Sequence, residues 1–134
     1  MINHEIKVRV RYAEVDKMGY VYYGNYATYF EVARVETLRH LGLTYKTMED
    51  DGIILPVSEF SVKYKKPAYY DDELTVKTIV KVRPATRIFF DFETYNSSGE
   101  LLNTAQVTLV FVNQKTGKPC IPPDDFNKIF DNYF

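Results

Sequence analysis

The chain has 134 residues, 46% of them hydrophobic and 26% charged, the size and balance of one soluble globular domain spanning 1–134. Its 17 basic and 18 acidic residues leave a formal charge of -1, which excludes the basic face that collects nucleic acid. The lone cysteine, Cys120, excludes an internal disulfide framework, and with only His4 and His40 beside it there is no Cys/His set for a structural zinc.

In chain order, Glu5 to Tyr12 sets Ile6, Val8, Val10 and Tyr12 against Glu5, Lys7, Arg9 and Arg11, the two-residue period of a half-buried strand. No apolar run of the signal-peptide or membrane-spanning kind occurs at this end, which predicts a cytoplasmic protein without a membrane span. Ala13 to Tyr22 holds Asp16 and Gly19 without any periodicity and reads as an ordered loop. From Asn25 to Leu41 the steps are three and four, through Tyr26, Tyr29, Phe30, Ala33, Thr37 and Leu41, and Gly42 stops this helix. Val32, Val35 and Leu38 make its opposite side apolar as well, which predicts enclosure on more than one side.

A short helix over Thr44–Asp51 comes next, and the remainder reads as strands: Glu59–Lys65, Leu74–Arg83, Arg87–Glu93 and Leu101–Val112. Pro84 and the turn Asn96–Gly99 separate them. Short connections predict antiparallel neighbours, and the unbroken apolar end Leu109–Val112 predicts burial on both faces. The tail carries Pro119, Pro122 and Pro123 before a short helix from Asp124. A long helix followed by such a meander is an α+β domain, packed as a sheet curled about the helix or as a plain two-layer sandwich.

Several chemistries are missing: no G-x-G-x-x-G, no G-K-[ST] and no G-x-S-x-G occurs. His40 at the helix end, His4 in the terminal segment and Cys120 among prolines read as ordinary residues without triad partners. The informative stretch is Arg11 to Arg34, RYAEVDKMGYVYYGNYATYFEVAR, where an acidic loop residue stands just before a helix N-terminus. Asp16 and Gly19 fit the first and fourth positions of a turn. The same placement fits acyl transfer. A helix start offers unpaired N–H groups and partial positive charge to an oxygen that becomes negative, and a carboxylate opposite can attack the carbonyl or activate water. Residue types alone leave both readings open.

The segment resembles the signature of the 4-hydroxybenzoyl-CoA thioesterase family, which includes the YbgC-like acyl-CoA thioesterases. In this chain it runs through Asp16, Gly19, Val21, Tyr23, Asn25, Tyr26, Tyr29, Phe30, Glu31 and Ala33, with further similarity in KKPAYYDDELTV at Lys65–Val76 and GKPCIPPDDF at Gly117–Phe126. The resemblance implies the hotdog fold, a long central helix wrapped by a curved five-stranded antiparallel sheet. It implies hydrolysis of an acyl-CoA substrate with no cofactor, coenzyme A being part of the substrate, by a homo-oligomer that is a dimer at minimum and commonly a tetramer. It makes Asp16 the catalytic carboxylate and the backbone N–H of Tyr23 the group that polarises the thioester carbonyl.

YbgC-like members commonly carry His where this chain has Tyr23, and the aromatic-acyl type carries Tyr. The resemblance also places Pro56, Val57 and Ser58 beside the thioester. Coenzyme A phosphates call for cations, for which Lys63, Lys65, Lys66, Arg83 and Arg87 are available, and Arg83 and Arg87 are assigned to the substrate. Tyr20, Tyr22 and Tyr26 are candidates for an acyl channel, and Glu31 with Arg34 is expected to form a local ion pair. The alternative to an enzyme is a noncatalytic acyl-CoA binding protein, against which the carboxylate at position 16 speaks.

Overall fold

The computed structural model describes residues 1–134. Strand β1 (Ile2–Arg9) buries Ile2 and half-buries Ile6 and Val8, while Asn3, Glu5, Lys7 and Arg9 face solvent. It begins and ends earlier than its alternation predicts. Val10 continues the buried face, but a 3-10 turn takes over at Tyr12–Glu14 and leaves Tyr12 77% exposed. The cause is local: the Glu14 carboxylate reaches back to the N–H of Arg11 at 2.8 Å, as in a capping box, and turns the chain out of the strand.

Helix α1 (Asn25–His40) buries Tyr26, Tyr29, Phe30, Ala33, Thr37 and Leu38, and Gly42 at φ +87 supplies the left-handed residue just beyond its end. It packs on β1 and on β4 (Glu73–Val80). Its opposite stripe is not enclosed by this chain, contrary to the expectation from Val32, Val35 and Leu38. Leu38 is buried, Val35 is half-buried and Val32 is 45% exposed. Helix α2 (Tyr45–Asp50) starts where predicted, with the Thr44 hydroxyl accepting the N–H of Thr47 at 3.2 Å.

Strands β3 (Val57–Tyr64), β5 (Arg87–Tyr95) and β6 (Leu101–Val110) join β1 and β4 in a five-stranded antiparallel sheet of order β1-β4-β5-β6-β3. Every neighbouring pair is antiparallel, yet β3 and β4 are not neighbours, which corrects the simple meander. The link between them is bound elsewhere. The N–H groups of Lys65 and Lys66 donate to the carbonyl of Leu102, Ala68 accepts from Val21, and Tyr69 bridges Tyr20. These bonds carry the chain across the end of the sheet instead of back along β3.

The apolar run Leu109–Val112 marks a change of sheet, not burial on both faces. Phe111 enters the core, and the chain then forms β7 (Val112–Asn113) against β2 (Ile53–Ile54), with Val110 and Val112 half-buried. Helix α3 (Asp124–Phe130) buries Phe126 and Phe130, and Phe126 meets Phe111 edge-on at 5.9 Å. Between α1 and the sheet, Phe30 stacks on Phe92 at 4.7 Å. Burying each such ring contributes about 1.5–3 kcal/mol.

Edge strand β3 is different. On its helix-side face Val57, Phe60 and Tyr64 remain exposed, although the rings of Phe60 and Tyr64 reach Phe30 and Tyr26 of α1 at 6.0 and 5.7 Å. No helix is long and apolar enough to cross a membrane.

Candidate active site

Asp16 stands in a small hairpin between the 3-10 turn and α1. Val15 bridges Val21, the N–H of Asp16 donates to the carbonyl of Tyr20 at 3.0 Å, and the N–H of Gly19 donates to the carbonyl of Asp16 at 3.0 Å. Gly19 adopts φ +85, where a side chain is strained. Oδ1 of Asp16 accepts the N–H of Met18 at 2.8 Å, while Oδ2 accepts no hydrogen bond. The turn aspartate thus keeps one of its two carboxylate oxygens free of hydrogen bonds.

On the far side of the hairpin the chain enters α1. The N–H of Tyr22 is consumed by the carbonyl of Glu14 at 2.9 Å, and those of Asn25 and Tyr26 by the carbonyls of Tyr22 and Tyr23. The N–H groups of Tyr23 and Gly24 find no acceptor within the chain. They are donors at the positive end of the helix.

Asp16 and Tyr23 open into one cavity of about 540 Å³, walled by Tyr20, Tyr26 and Tyr64 and joined by Lys65 and Lys66. Burial, followed by the neighbouring Tyr64, pushes the Tyr26 hydroxyl up to about 12, so this phenol is a neutral hydrogen-bonding group. No set of three or more His, Cys, Asp or Glu side chains converges as metal ligands.

The remaining residues singled out in the sequence are distributed as follows. The ring of Tyr22 lies tilted against that of Tyr23, centroids 4.6 Å apart, but does not line the cavity. Pro56, Val57 and Ser58 lie at the bulged start of β3, outside the Asp16 cavity of the same chain. Val57 lines a separate hollow of about 220 Å³ with Phe60, Glu31 and Arg34, and the Ser58 hydroxyl donates to the carbonyl of Thr108 at 3.2 Å. Arg83 is held by Asp131 at 2.7 Å, Arg87 opens β5, and neither lines the cavity; the cations that do are Lys65 and Lys66, the latter paired with Glu100. Glu31 and Arg34 do not form the expected ion pair, because the Arg34 Nε donates to the Tyr45 hydroxyl of α2 at 3.3 Å. His4 and His40 stack on one another at 4.4 Å.

One residue next to the site escapes sequence reasoning. Glu14 is buried, and burial by itself raises its pKa; hydrogen bonds from the backbone and guanidinium of Arg11 and from the Tyr29 hydroxyl outweigh this and hold the carboxyl below its ordinary range. The only local signal is the three-residue spacing of Arg11 and Glu14, which many exposed pairs share.

Residues 10–130 match the model of the thioesterase-like superfamily. The chain is 33% identical over 112 residues to the acyl-CoA thioester hydrolase YbgC of Escherichia coli, covering 84% of each chain. It is 34% identical over 125 residues to the acyl-CoA thioesterase YbgC of Haemophilus influenzae, covering 92% of this chain and 90% of that one. A crystal structure of a DHNA-CoA thioesterase from Staphylococcus aureus shares 38% identity and superposes with a TM-score of 0.93, over 99% of this chain and 91% of that one. The five-stranded antiparallel sheet, the helix beside it and the matched length together place the chain in the thioesterase-like superfamily, as a YbgC-like thioesterase of the hotdog fold.

Proposed function

We propose that the protein hydrolyses acyl-CoA thioesters with Asp16 as the reacting carboxylate. The observation that carries this reading is that Asp16, with a carboxylate oxygen free of hydrogen bonds, and Tyr23, with an unpartnered backbone N–H, line one cavity. With the thioester carbonyl between them, the N–H donates to the oxygen as it becomes negative, a contribution typically worth about 100-fold or more in kcat. The Asp16 carboxylate attacks the carbonyl carbon, the C–S bond breaks, and coenzyme A leaves as a thiolate that takes a proton from water. The acyl group is then a mixed anhydride with Asp16. Water hydrolyses it, restoring Asp16 and releasing the free acid. No imidazole lines the cavity to share the proton work, which favours attack by the carboxylate over general-base activation of water. Coenzyme A enters as part of the substrate, and the scheme uses no further cofactor.

An aromatic acyl group is the favoured substrate class. The wall of Tyr20, Tyr26 and Tyr64, the tyrosine at position 23 and the likeness to a DHNA-CoA thioesterase support it. Lys65 and Lys66 are better placed than Arg83 and Arg87 to meet the phosphates of coenzyme A. The exposed helix-side face of β3 supports a homo-oligomer, a dimer at minimum and a tetramer on the family's habit, in which a second copy covers Val57, Phe60 and Tyr64 and completes the wrapping of α1. The chain is taken to act as one domain in the cytoplasm.

Release of thiol from a panel of acyl-CoAs, followed with a thiol reagent, tests the reading. Steady turnover, fastest with aromatic acyl groups, is expected. Binding of acyl-CoA without thiol release would make the protein a noncatalytic binder.

A further inference from the structure

Glu14 lies two residues before Asp16, and the scheme above gives its carboxylate nothing to do. Both oxygens are nevertheless fully engaged. Oε1 accepts the N–H of Arg11 at 2.8 Å and the hydroxyl of Tyr29 at 2.9 Å, and Oε2 accepts the Arg11 guanidinium at 3.0 Å. The backbone carbonyl of the same residue accepts the N–H of Tyr22 at 2.9 Å and the side-chain amide of Asn25 at 2.8 Å. Asn25 and Tyr29 are one turn apart on α1, so they present one edge of the helix to Glu14. A single residue thus ties the end of the first strand, both ends of the Asp16 hairpin and the first turns of α1. The N–H of Tyr22 is thereby paired, whereas the next one, that of Tyr23, finds no acceptor in the chain.

We propose that Glu14 is the positioning residue of the hydrolytic site: it fixes the Asp16 carboxylate relative to the Tyr23 N–H and so governs kcat, not substrate affinity. The inference rests on the acyl-CoA thioesterase reading. A buried carboxylate is costly unless its oxygens are satisfied, and four donors satisfy these. Charge-assisted bonds are shorter and stronger than those of a neutral amide, so they make a stiffer anchor. Stiffness matters at this place because a displacement of about 1 Å in reacting groups costs about 100-fold in rate.

Glu14→Gln retains the shape and an acceptor for Tyr29 but removes the charge, and Tyr29→Phe retains the ring but removes one donor. Thiol release and the affinity for coenzyme A itself are measured on folded protein, well below each variant's Tm. The expected result is a fall in kcat of about tenfold for Glu14→Gln and about threefold for Tyr29→Phe, with KM and the Kd for coenzyme A within about twofold of the parent. A residue that merely stabilises the fold lowers Tm and leaves kcat per folded molecule unchanged. Values of kcat within about twofold of the parent for both variants overturn the proposal, as does a loss expressed in KM alone. If Glu14→Gln does not fold, Tyr29→Phe decides alone by the same criteria. A parent protein that releases no thiol from any acyl-CoA defeats the underlying reading before a variant is compared, so the two failures are distinct.

Discussion

The N–H of Tyr22 donates to the carbonyl oxygen of Glu14 at 2.9 Å, and this bond closes the base of the hairpin that carries Asp16. Two glycines complete the geometry in different ways. Gly19 turns the hairpin at φ +85, whereas Gly24 makes room, since a Cβ there would lie 2.7 Å from Cε2 of Tyr22. Gly19→Ala is expected to cost about 1 kcal/mol or more, because the backbone is strained whatever the space. Gly24→Ala meets only the movable end of an exposed ring and should melt close to the parent. Thermal denaturation of the two variants checks this order.

The open face of β3 is a surface for a second copy of the chain. Phe60 sits on that face at 43% exposure, on an edge strand. Light scattering at micromolar concentration is expected to show a dimer or larger species, with an obligate interface burying about 2,000 Å² or more. Phe60→Glu should shift the population toward smaller, less active species. A fully active monomer would contradict the arrangement.

The stacked rings of His4 and His40 give stability a pH dependence. Burial, and then the charge of His40, lowers the pKa of His4 from its ordinary 6.5. The other charged neighbours, Glu36 and Glu5, act in the opposite sense and do not reverse it. The unfolded chain therefore binds the proton more tightly than the folded one. This contribution is present above pH 6.5 and is lost as the pH falls from there toward the folded value. Glu14, whose folded pKa is depressed, acts lower: its contribution is present above its ordinary 4.5 and is lost as the pH falls through the folded value. Melts recorded between about pH 7.5 and pH 5.5 should show a falling Tm, with a smaller fall in His4→Gln.

Local patterns were legible in the sequence and distant partners were not. The alternation of Ile6 and Val8, the helix from Asn25 and the short helix beginning at Thr44 depend on residues a few positions apart, and each is found where the spacing puts it. Tyr12 alternates correctly yet leaves the strand, because the Arg11–Glu14 contact competes with the ladder. The place of β3 depends on Phe60 facing Val107, a pairing that no local period encodes. At the site, the Asp16 loop and the start of α1 were legible as neighbours because they are contiguous in the chain, while the roles given to Asp16 and Tyr23 came from the family resemblance and not from the local pattern. Glu14 was not legible, because its meaning lies in Tyr29 and Asn25 on the next element. Arg83 looked free for substrate only because Asp131 is distant in sequence.

How Asp16 acts can be read from isotope transfer. In a single turnover in oxygen-18 water with excess enzyme, attack of water on the aspartyl carbonyl of an anhydride places label in Asp16. Mass spectrometry of the peptide containing Asp16 is expected to find it. Label confined to the product acid would instead show that water attacks the acyl carbonyl, either of the anhydride or, with Asp16 as general base, of the thioester itself.

If the Asp16 carboxylate carries the hydrolysis, Asp16→Asn removes it. Asparagine keeps an oxygen able to accept the N–H of Met18, so the hairpin is expected to persist, while the nucleophilic or basic charge is gone. Thiol release from the best acyl-CoA of the panel is measured for parent and variant, together with Tm and acyl-CoA binding. A fall in kcat of at least about 100-fold is expected, with folding and binding retained; a folded Asp16→Asn protein within a few-fold of the parent would rule out a catalytic role for this carboxylate.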